Sequence, residues 1–306
     1  MSVPLPKLPD LSLLPRLTRS TAPLTHAVTV LDEFGQLRQM NVPAERPLTL
    51  FVDKRELVTL MTLGLAPELL VLGYLRNQRL VGGAHEVESI TVDWDVGAAA
   101  VRTRAGIADI EQKTAQRIVT TGCGQGTVFG ALMADVESVR LPAAADARLR
   151  QSTLYSILEQ MRKQDSVYKK AGSVHGCALF CGDQLQVHME DVGRHNAIDS
   201  IAGWMWMQGG QGAEGALGAP SMSGADKCFY TTGRLTSEMV MKSAQMGVPI
   251  IVSRNGITQM GHALAMQLGI TLIGRAKNRH FICYSGLERF DSEPEPARAV
   301  AEMQVG

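Results

Sequence analysis

Cys123 stands in a run of small and polar residues, Thr120, Thr121, Gly122, Gly124, Gln125 and Gly126, with almost no apolar neighbour to cover it. A thiol so placed is exposed on pliant backbone, and glycines on both sides let the sulfur move and let a partner approach closely. Exposed thiols invite oxidation and exchange, so the chemistry of the chain is expected to rest on this residue. A chance cysteine in a tight turn has the same spacing. The other four cysteines differ. Cys177 and Cys181 flank Ala-Leu-Phe in an apolar strand, where both point to one side and read as small buried hydrophobes. His188-Met189-Glu190 matches half of a zinc deaminase signature, but the Pro-Cys-x-x-Cys half is absent and Cys228 has no partner three residues away. No zinc site is expected.

Three other places carry groups suited to ligands. One strand is followed by Thr232-Gly233-Arg234, the next by Ser253-Arg254-Asn255-Gly256, and a third by Gly274 to His280, that is Arg275, Ala276, Lys277, Asn278, Arg279 and His280. Open parallel sheets bind ligands beyond the carboxyl ends of their strands. Three cationic strand ends beside two helix N-termini suit phosphate groups. For a single loop, exposed arginine needs no such reason; three in a row favour an anion site. The segment HMEDVGRHNAIDS gathers Glu190, Asp191, Arg194, His195 and Asn196 around Gly193. Such a cluster supplies acid–base groups, orients a ligand, or forms an internal ion network, and Asp191 is also a candidate helix N-cap.

The elements that must hold these groups follow from pattern. The segment HAVTVLDEFGQLRQM alternates and reads as a hairpin around Phe34-Gly35. The apolar stretch Leu57 to Leu75, broken by Pro67 and Glu68, reads as two buried helices or one kinked helix running on to about Arg79. ESITVDWDVGAAAVRT and QRIVTTG read as strands. Leu154, Ile157, Leu158 and Met161 mark a helix over Leu154 to Tyr168. CALFCGDQLQVHME is two strands joined at Gly182-Asp183, and Ile198, Ile201, Ala202 and Met205 mark the next helix. Residues 208–227 form a Gly/Ala/Ser-rich surface loop. KCFYTT, PIIVS and ITLIG are strands. They alternate with a helix that Thr236 caps and Gly247 ends, and with one whose stripe is Met260, Ala263, Leu264 and Leu268. That rhythm implies a parallel sheet with right-handed crossovers.

Length and composition set the bounds. The 306 residues carry 30 Lys+Arg against 30 Asp+Glu, so no global field draws the chain to nucleic acid or membrane. Five cysteines are an odd count spread over a long chain, which fits a reducing, cytoplasmic setting rather than a disulfide framework. The proline-broken N-terminus does not read as a signal peptide, and no apolar stretch is long enough to span a bilayer. The expected organisation is a loosely ordered tail over 1–24, a β-rich subdomain over 25–145 carrying the Cys123 loop, an α/β core over 146–290, and a tail over 291–306.

EDVGRHNAID at Glu190–Asp199, TTGRLTSEMVMKSAQMGVPIIVSR at Thr231–Arg254 and AGSVHGCAL at Ala171–Leu179 together resemble the FdhD/NarQ family of formate dehydrogenase accessory sulfurtransferases. The resemblance covers most of residues 25 to 285. It implies a cytidine-deaminase-like α/β/α sandwich with a mixed, largely parallel sheet in the C-terminal half. It also implies that Cys123 accepts sulfur as a persulfide from a cysteine desulfurase. The sulfur then passes to the molybdenum of the bis(molybdopterin guanine dinucleotide) cofactor before insertion into formate dehydrogenase. The segment Arg275–His280 corresponds to a cofactor-binding segment, and His175 joins Arg234, Arg254, Asp191, Arg194, His195 and Asn196 as cofactor-binding. A homodimer is expected. The chain departs from the family pattern at Gly126, which stands for the second cysteine of Cys-Gly-x-Cys, so Cys123 acts alone. Arg275 replaces a usual aromatic residue, and Ala171 and Ser173 replace Thr and Gly. The alternative is a cofactor chaperone that binds guanine dinucleotide without transferring sulfur.

Overall fold

The computed structural model describes residues 14–108, 110, 139–208 and 222–293. The Cys123 loop, the strand expected at QRIVTTG and most of the Gly/Ala/Ser-rich segment lie outside them. The first half builds strands β1 (Arg16–Leu17), β2 (Thr25–Leu31), β3 (Leu37–Pro43), β4 (Arg46–Val52) and β5 (Arg55–Thr62), helix α1 (Pro67–Asn77), then β6 (Val87–Asp93) and β7 (Ala98–Thr103). Among the described residues β2 and β3 pair only with each other, as the hairpin expected around Phe34-Gly35. Asp32 Oδ1 accepts the Phe34 and Gln36 N–H groups at 3.0 and 2.9 Å and so shapes the turn. The other strands form a five-stranded sheet in the order β1-β6-β7-β4-β5.

Leu57 to Leu75 is not helical throughout. Leu57 to Thr62 belongs to β5, which pairs antiparallel with β4, and the helix begins only at Pro67. The pyrrolidine ring pre-sets φ for a first helical turn and donates no N–H, which suits that position. A continuous apolar run does not by itself distinguish a buried strand from a buried helix. Pairing with β4 decides it.

The second half begins with β8 (Leu149–Arg150), α2 (Gln151–Lys163) and α3 (Val167–Ala171). The helix expected from Leu154 to Tyr168 is thus split, because Ser166 opens a new turn by accepting the Lys169 N–H. There follow β9 (His175–Cys181), β10 (Gln184–Asp191), α4 (Arg194–Gln208), β11 (Lys227–Thr231), α5 (Ser237–Gln245), β12 (Ile250–Ser253), α6 (Gln259–Leu268), β13 (Thr271–Lys277), β14 (His280–Ser285) and β15 (Phe290–Asp291). Six of these strands form a sheet in the order β10-β9-β11-β12-β13-β14. Only β11, β12 and β13 run parallel; both flanks are antiparallel, so the sheet is mixed but not largely parallel. The hairpins at Gly182-Asp183 and Asn278-Arg279 reverse the chain there, and a hairpin can join only antiparallel strands.

Helices cover both faces of this sheet. α4, α5 and α6 pack on one face, against Cys177, Leu179, Phe229, Ile251 and Leu272. α2 packs on the other, with Leu154, Ile157 and Leu158 against Phe180, Tyr230 and Val252. The buried side of α6 is Gly261, Leu264 and Ala265, whereas Met260 and Ala263 face outward. α4 serves both halves of the chain. Its outer side meets α1 at Gly73 and Gly203, where a Cβ on either would fall 1.7 Å from the Asp199 carbonyl oxygen or 2.0 Å from that of Leu69. The two helix backbones are in direct contact, and only glycine permits that.

Candidate functional site

The ends of the parallel strands are laced together before any side chain reaches outward. Thr231 Oγ1 accepts the Gly233 N–H at 3.0 Å, and Ser253 Oγ donates to the Gly233 carbonyl at 2.6 Å. Asn255 Nδ2 donates to the Thr232 carbonyl at 2.7 Å, and the Asn255 carbonyl accepts the Arg275 N–H at 2.8 Å. A Cβ at Gly233 would sit 3.0 Å from Cδ of Arg194, whose side chain passes over this turn.

Beside this ledge lies a cavity of about 200 Å³. Arg254 and Lys277 reach it from the strand ends, and Arg162 and Lys169 reach it from α2 and α3. Arg162 is ion-paired with Glu159 at 2.7 Å, so Arg254, Lys277 and Lys169 supply most of the positive charge that makes this a local anion site in a chain of zero net charge. Glu190 is the carboxylate among them, and it is engaged: its oxygens accept the Val167 and Tyr168 N–H groups at 2.6 and 3.1 Å. It thereby fixes α3, and with it Lys169, at the rim. His188, two residues earlier on the same side of β10, has its pKa lowered by burial, with Glu190 pulling the other way. It is neutral at pH 7, so it offers a hydrogen bond rather than a charge. Burial pushes the Tyr230 phenol up against the opposing pull of Arg254, so it stays protonated.

Behind the ledge a buried polar chain links α1, α4 and α5. Asn77 Nδ2 donates to Asp199 Oδ1 at 2.6 Å, and Lys242 Nζ donates to Asp199 Oδ2 at 2.9 Å. Lys242 Nζ also lies 3.5 Å from Glu238 Oε1, which His195 Nδ1 faces at 3.3 Å. Burial pulls the Lys242 pKa down, but Asp199 and Glu238 outweigh it and raise it, so the ammonium is retained. Burial drives His195 down to about 2, with Lys242, Arg194 and His175 adding to the effect. Its imidazole is neutral. Asp191 accepts from Thr62 Oγ1 and Leu63 N through one oxygen, and from Gly193 N and Asn196 Nδ2 through the other. It ties the end of β5 to the start of α4. It is therefore more than a helix cap, and the first carbonyl of the helix is that of Gly193.

The sequence-derived residues divide into three groups. Arg254, Ala276, Lys277 and Asn278 line the cavity. Arg194, His195, Asn196 and Asp191 are buried behind it, while the half-buried His175 feels the charges of Arg194 and the exposed Arg234. Arg275, Arg279 and His280 are exposed, and Arg279 stacks over the Tyr155 ring at 5.5 Å. Arg275 to His280 is not an open loop. β13 continues through Lys277, with Arg275 at φ 52° in a bulge, and turns straight into β14. Cys123 lies outside the described residues. Sequence reasoning missed Arg162 and Lys169, which come from helices distant in sequence. It also missed the partnership of Lys242, Asp199 and Glu238. The i, i+4 spacing of Glu238 and Lys242 was the available signal.

Comparison with known proteins agrees with this architecture. The FdhD/NarQ family profile matches residues 43–291. The sulfur carrier protein FdhD of Listeria monocytogenes serotype 4b (strain F2365) is 28% identical over 251 residues, spanning 82% of this chain and 92% of its own. That of Bacillus subtilis (strain 168) is 28% identical over 245 residues, spanning 80% and 88%. Among solved structures, one from Desulfotalea psychrophila, provisionally described as a formate dehydrogenase accessory protein, superposes with a TM-score of 0.66 at 26% identity, over 88% of this chain and 100% of that one. With a family match running from β3 to β15 and a similar solved fold, the chain belongs to the FdhD/NarQ family.

Proposed function

We propose that this chain is a cytoplasmic sulfur carrier in formate dehydrogenase maturation, with Cys123 as the carrier thiol. A cysteine desulfurase bearing a persulfide is the donor. The Cys123 thiolate attacks the outer sulfur, the desulfurase thiolate leaves, and Cys123 holds the sulfur as a persulfide. The cargo is the bis(molybdopterin guanine dinucleotide) cofactor: the outer sulfur passes to molybdenum as sulfide, Cys123 leaves as its thiolate and a thiol reductant supplies the two electrons, before the cofactor is inserted into formate dehydrogenase.

The observation that carries the reading is the cationic cavity at the strand ends, which suits the phosphates of a guanine dinucleotide. Arg254, Lys277 and Lys169 supply the charge, with Arg162 beside them in its ion pair to Glu159, and Asn278, Thr232 and neutral His188 supply hydrogen bonds. The thiols give separate support. Burial pushes Cys177 and Cys228 up to about 12 and raises Cys181 and Cys283. Those four are poor nucleophiles at neutral pH, because the thiolate is the reactive form.

The test is to incubate the chain with a desulfurase and sulfur-labelled cysteine and to map the label by mass spectrometry. Label is expected on Cys123, and the Cys123→Ala variant should neither take it up nor restore formate dehydrogenase activity. A Cys123→Ala chain that restores activity would overturn sulfur transfer. Because Gly126 leaves only one thiol in the loop, that result would identify a cofactor chaperone.

A further inference from the structure

His188 stands apart from the other polar groups of the strand-end cavity. The ring is half-buried and lines the cavity, yet neither of its nitrogens has a hydrogen-bond partner among the described residues. Gly176 keeps it clear: a Cβ at that position, opposite Glu190 in the β9–β10 ladder, would press on His188 Nε2 at 3.0 Å. An imidazole with both nitrogens free, set in a cationic recess, offers hydrogen bonds that no group of the described chain takes up.

The charges around the ring leave it neutral while the cavity is empty. On its own strand the carboxylate is Glu190, and both oxygens of Glu190 are taken by the Val167 and Tyr168 N–H groups of α3. Lys169 faces the cavity from α3, Arg254 from the end of β12 and Lys277 from β13, while Arg162 of α2 is held by Glu159. Tyr168 and Tyr230 add phenols, which bring no charge near neutral pH, and the residue that lines the cavity from β9 is Gly176. Burial lowers the His188 pKa, and Glu190 opposes it only in part. An oxyanion seated among Lys169, Arg254 and Lys277 reverses that balance, because a negative charge within about 4–6 Å favours the protonated imidazole.

We propose that His188 is a proton-linked binding residue: as an oxyanion enters the cavity, the neutral ring takes up one proton from solvent and joins Arg254, Lys277 and Lys169 as a further cation. The linkage has a definite sign. The free ring titrates below its ordinary value, and the ring beside a bound anion titrates above the free one. Between the two, binding takes up a proton. Affinity therefore rises as pH falls through that interval, and levels off once the free ring is protonated as well. The identity of the ligand rests on the guanine dinucleotide reading of this cavity; the proton uptake requires only a bound oxyanion.

Two probes separate these claims. Sulfate is a dianion, and diguanosine pyrophosphate a doubly charged diester, throughout pH 5.5 to 7.5, so any pH dependence belongs to the chain. The His188 ring signal, one of seven histidines, is identified by NMR as the one missing from the His188→Gln variant. Its titration should move to higher pH on adding sulfate at constant ionic strength. In calorimetry the parent chain should bind the dinucleotide about tenfold more tightly at pH 5.5 than at pH 7.5, with proton uptake read from the dependence of the heat on the buffer. His188→Gln should keep its circular dichroism spectrum and its affinity at pH 7.5, and lose most of the pH dependence. A His188 signal indifferent to both anions overturns the proposal, as does a His188→Gln chain with the parent's pH dependence. Dinucleotide binding of equal affinity at both pH values also overturns it, and leaves the cofactor reading standing. Sulfate that moves the His188 signal while the dinucleotide binds at neither pH would support His188 in this role and overturn the cofactor reading instead.

Discussion

Single side chains decide the stability of the region behind the site, and the decisive one is Lys242. It is fully buried against Asp199, with Glu238 close by. Removing one partner from such a cluster strands the others without water or counter-charge. Lys242→Met should therefore cost about 3–5 kcal/mol, read as a lower urea midpoint. His195 supplies a pH test. Its pKa is about 2 in the folded chain against an ordinary 6.5. Above 6.5 the imidazole is neutral in both states and its environment costs nothing. As pH falls through 6.5, only the unfolded chain takes up the proton, so stability declines by about 1.4 kcal/mol per pH unit from this group. His195→Gln should flatten the fall in unfolding free energy between pH 6.5 and 5; an unchanged slope would exclude His195 as its source.

At the scale of elements, the crossing of α1 and α4 is the feature most sensitive to a single atom. A Cβ at Gly73 would collide with the Asp199 carbonyl, part of a helix backbone that cannot step aside alone. Gly73→Ala should cost about 3 kcal/mol or more, since overpacking here must separate two helices. Gly182, in the β9–β10 turn, makes the contrast: its φ is +58° and nothing lies within 4 Å of a Cβ there. Gly182→Ala pays only for the left-handed conformation, about 1 kcal/mol. Denaturation curves of the two variants separate the effects. The turn glycine was legible in the sequence because Gly-Asp between two alternating segments is a local signal. Gly73 was not, because its reason lies 126 residues away at Asp199.

For the molecule as a whole, the cavity is an assembly property: α2 and α3 supply one wall and the strand ends the other. Arg254→Ala and Lys277→Ala should each weaken guanosine diphosphate binding by about tenfold in calorimetry. Added salt should weaken the parent chain's binding in the same sense. An affinity indifferent to both variants would place the nucleotide elsewhere. The sequence by itself determined the hairpins, the helices α4, α5 and α6, the three parallel strands and the cationic residues after them, because each has a local cause: alternation, helical spacing, or a turn residue. It also carried the family motifs. Only the tertiary structure decided that Leu57 to Thr62 is a strand, that the sheet's flanks are antiparallel, and that His195 lies buried behind the ledge while Arg162 and Lys169 face the cavity. Those outcomes depend on which elements meet. Strand pairing, burial and charge proximity act between residues far apart in the chain, and local periodicity carries no record of them.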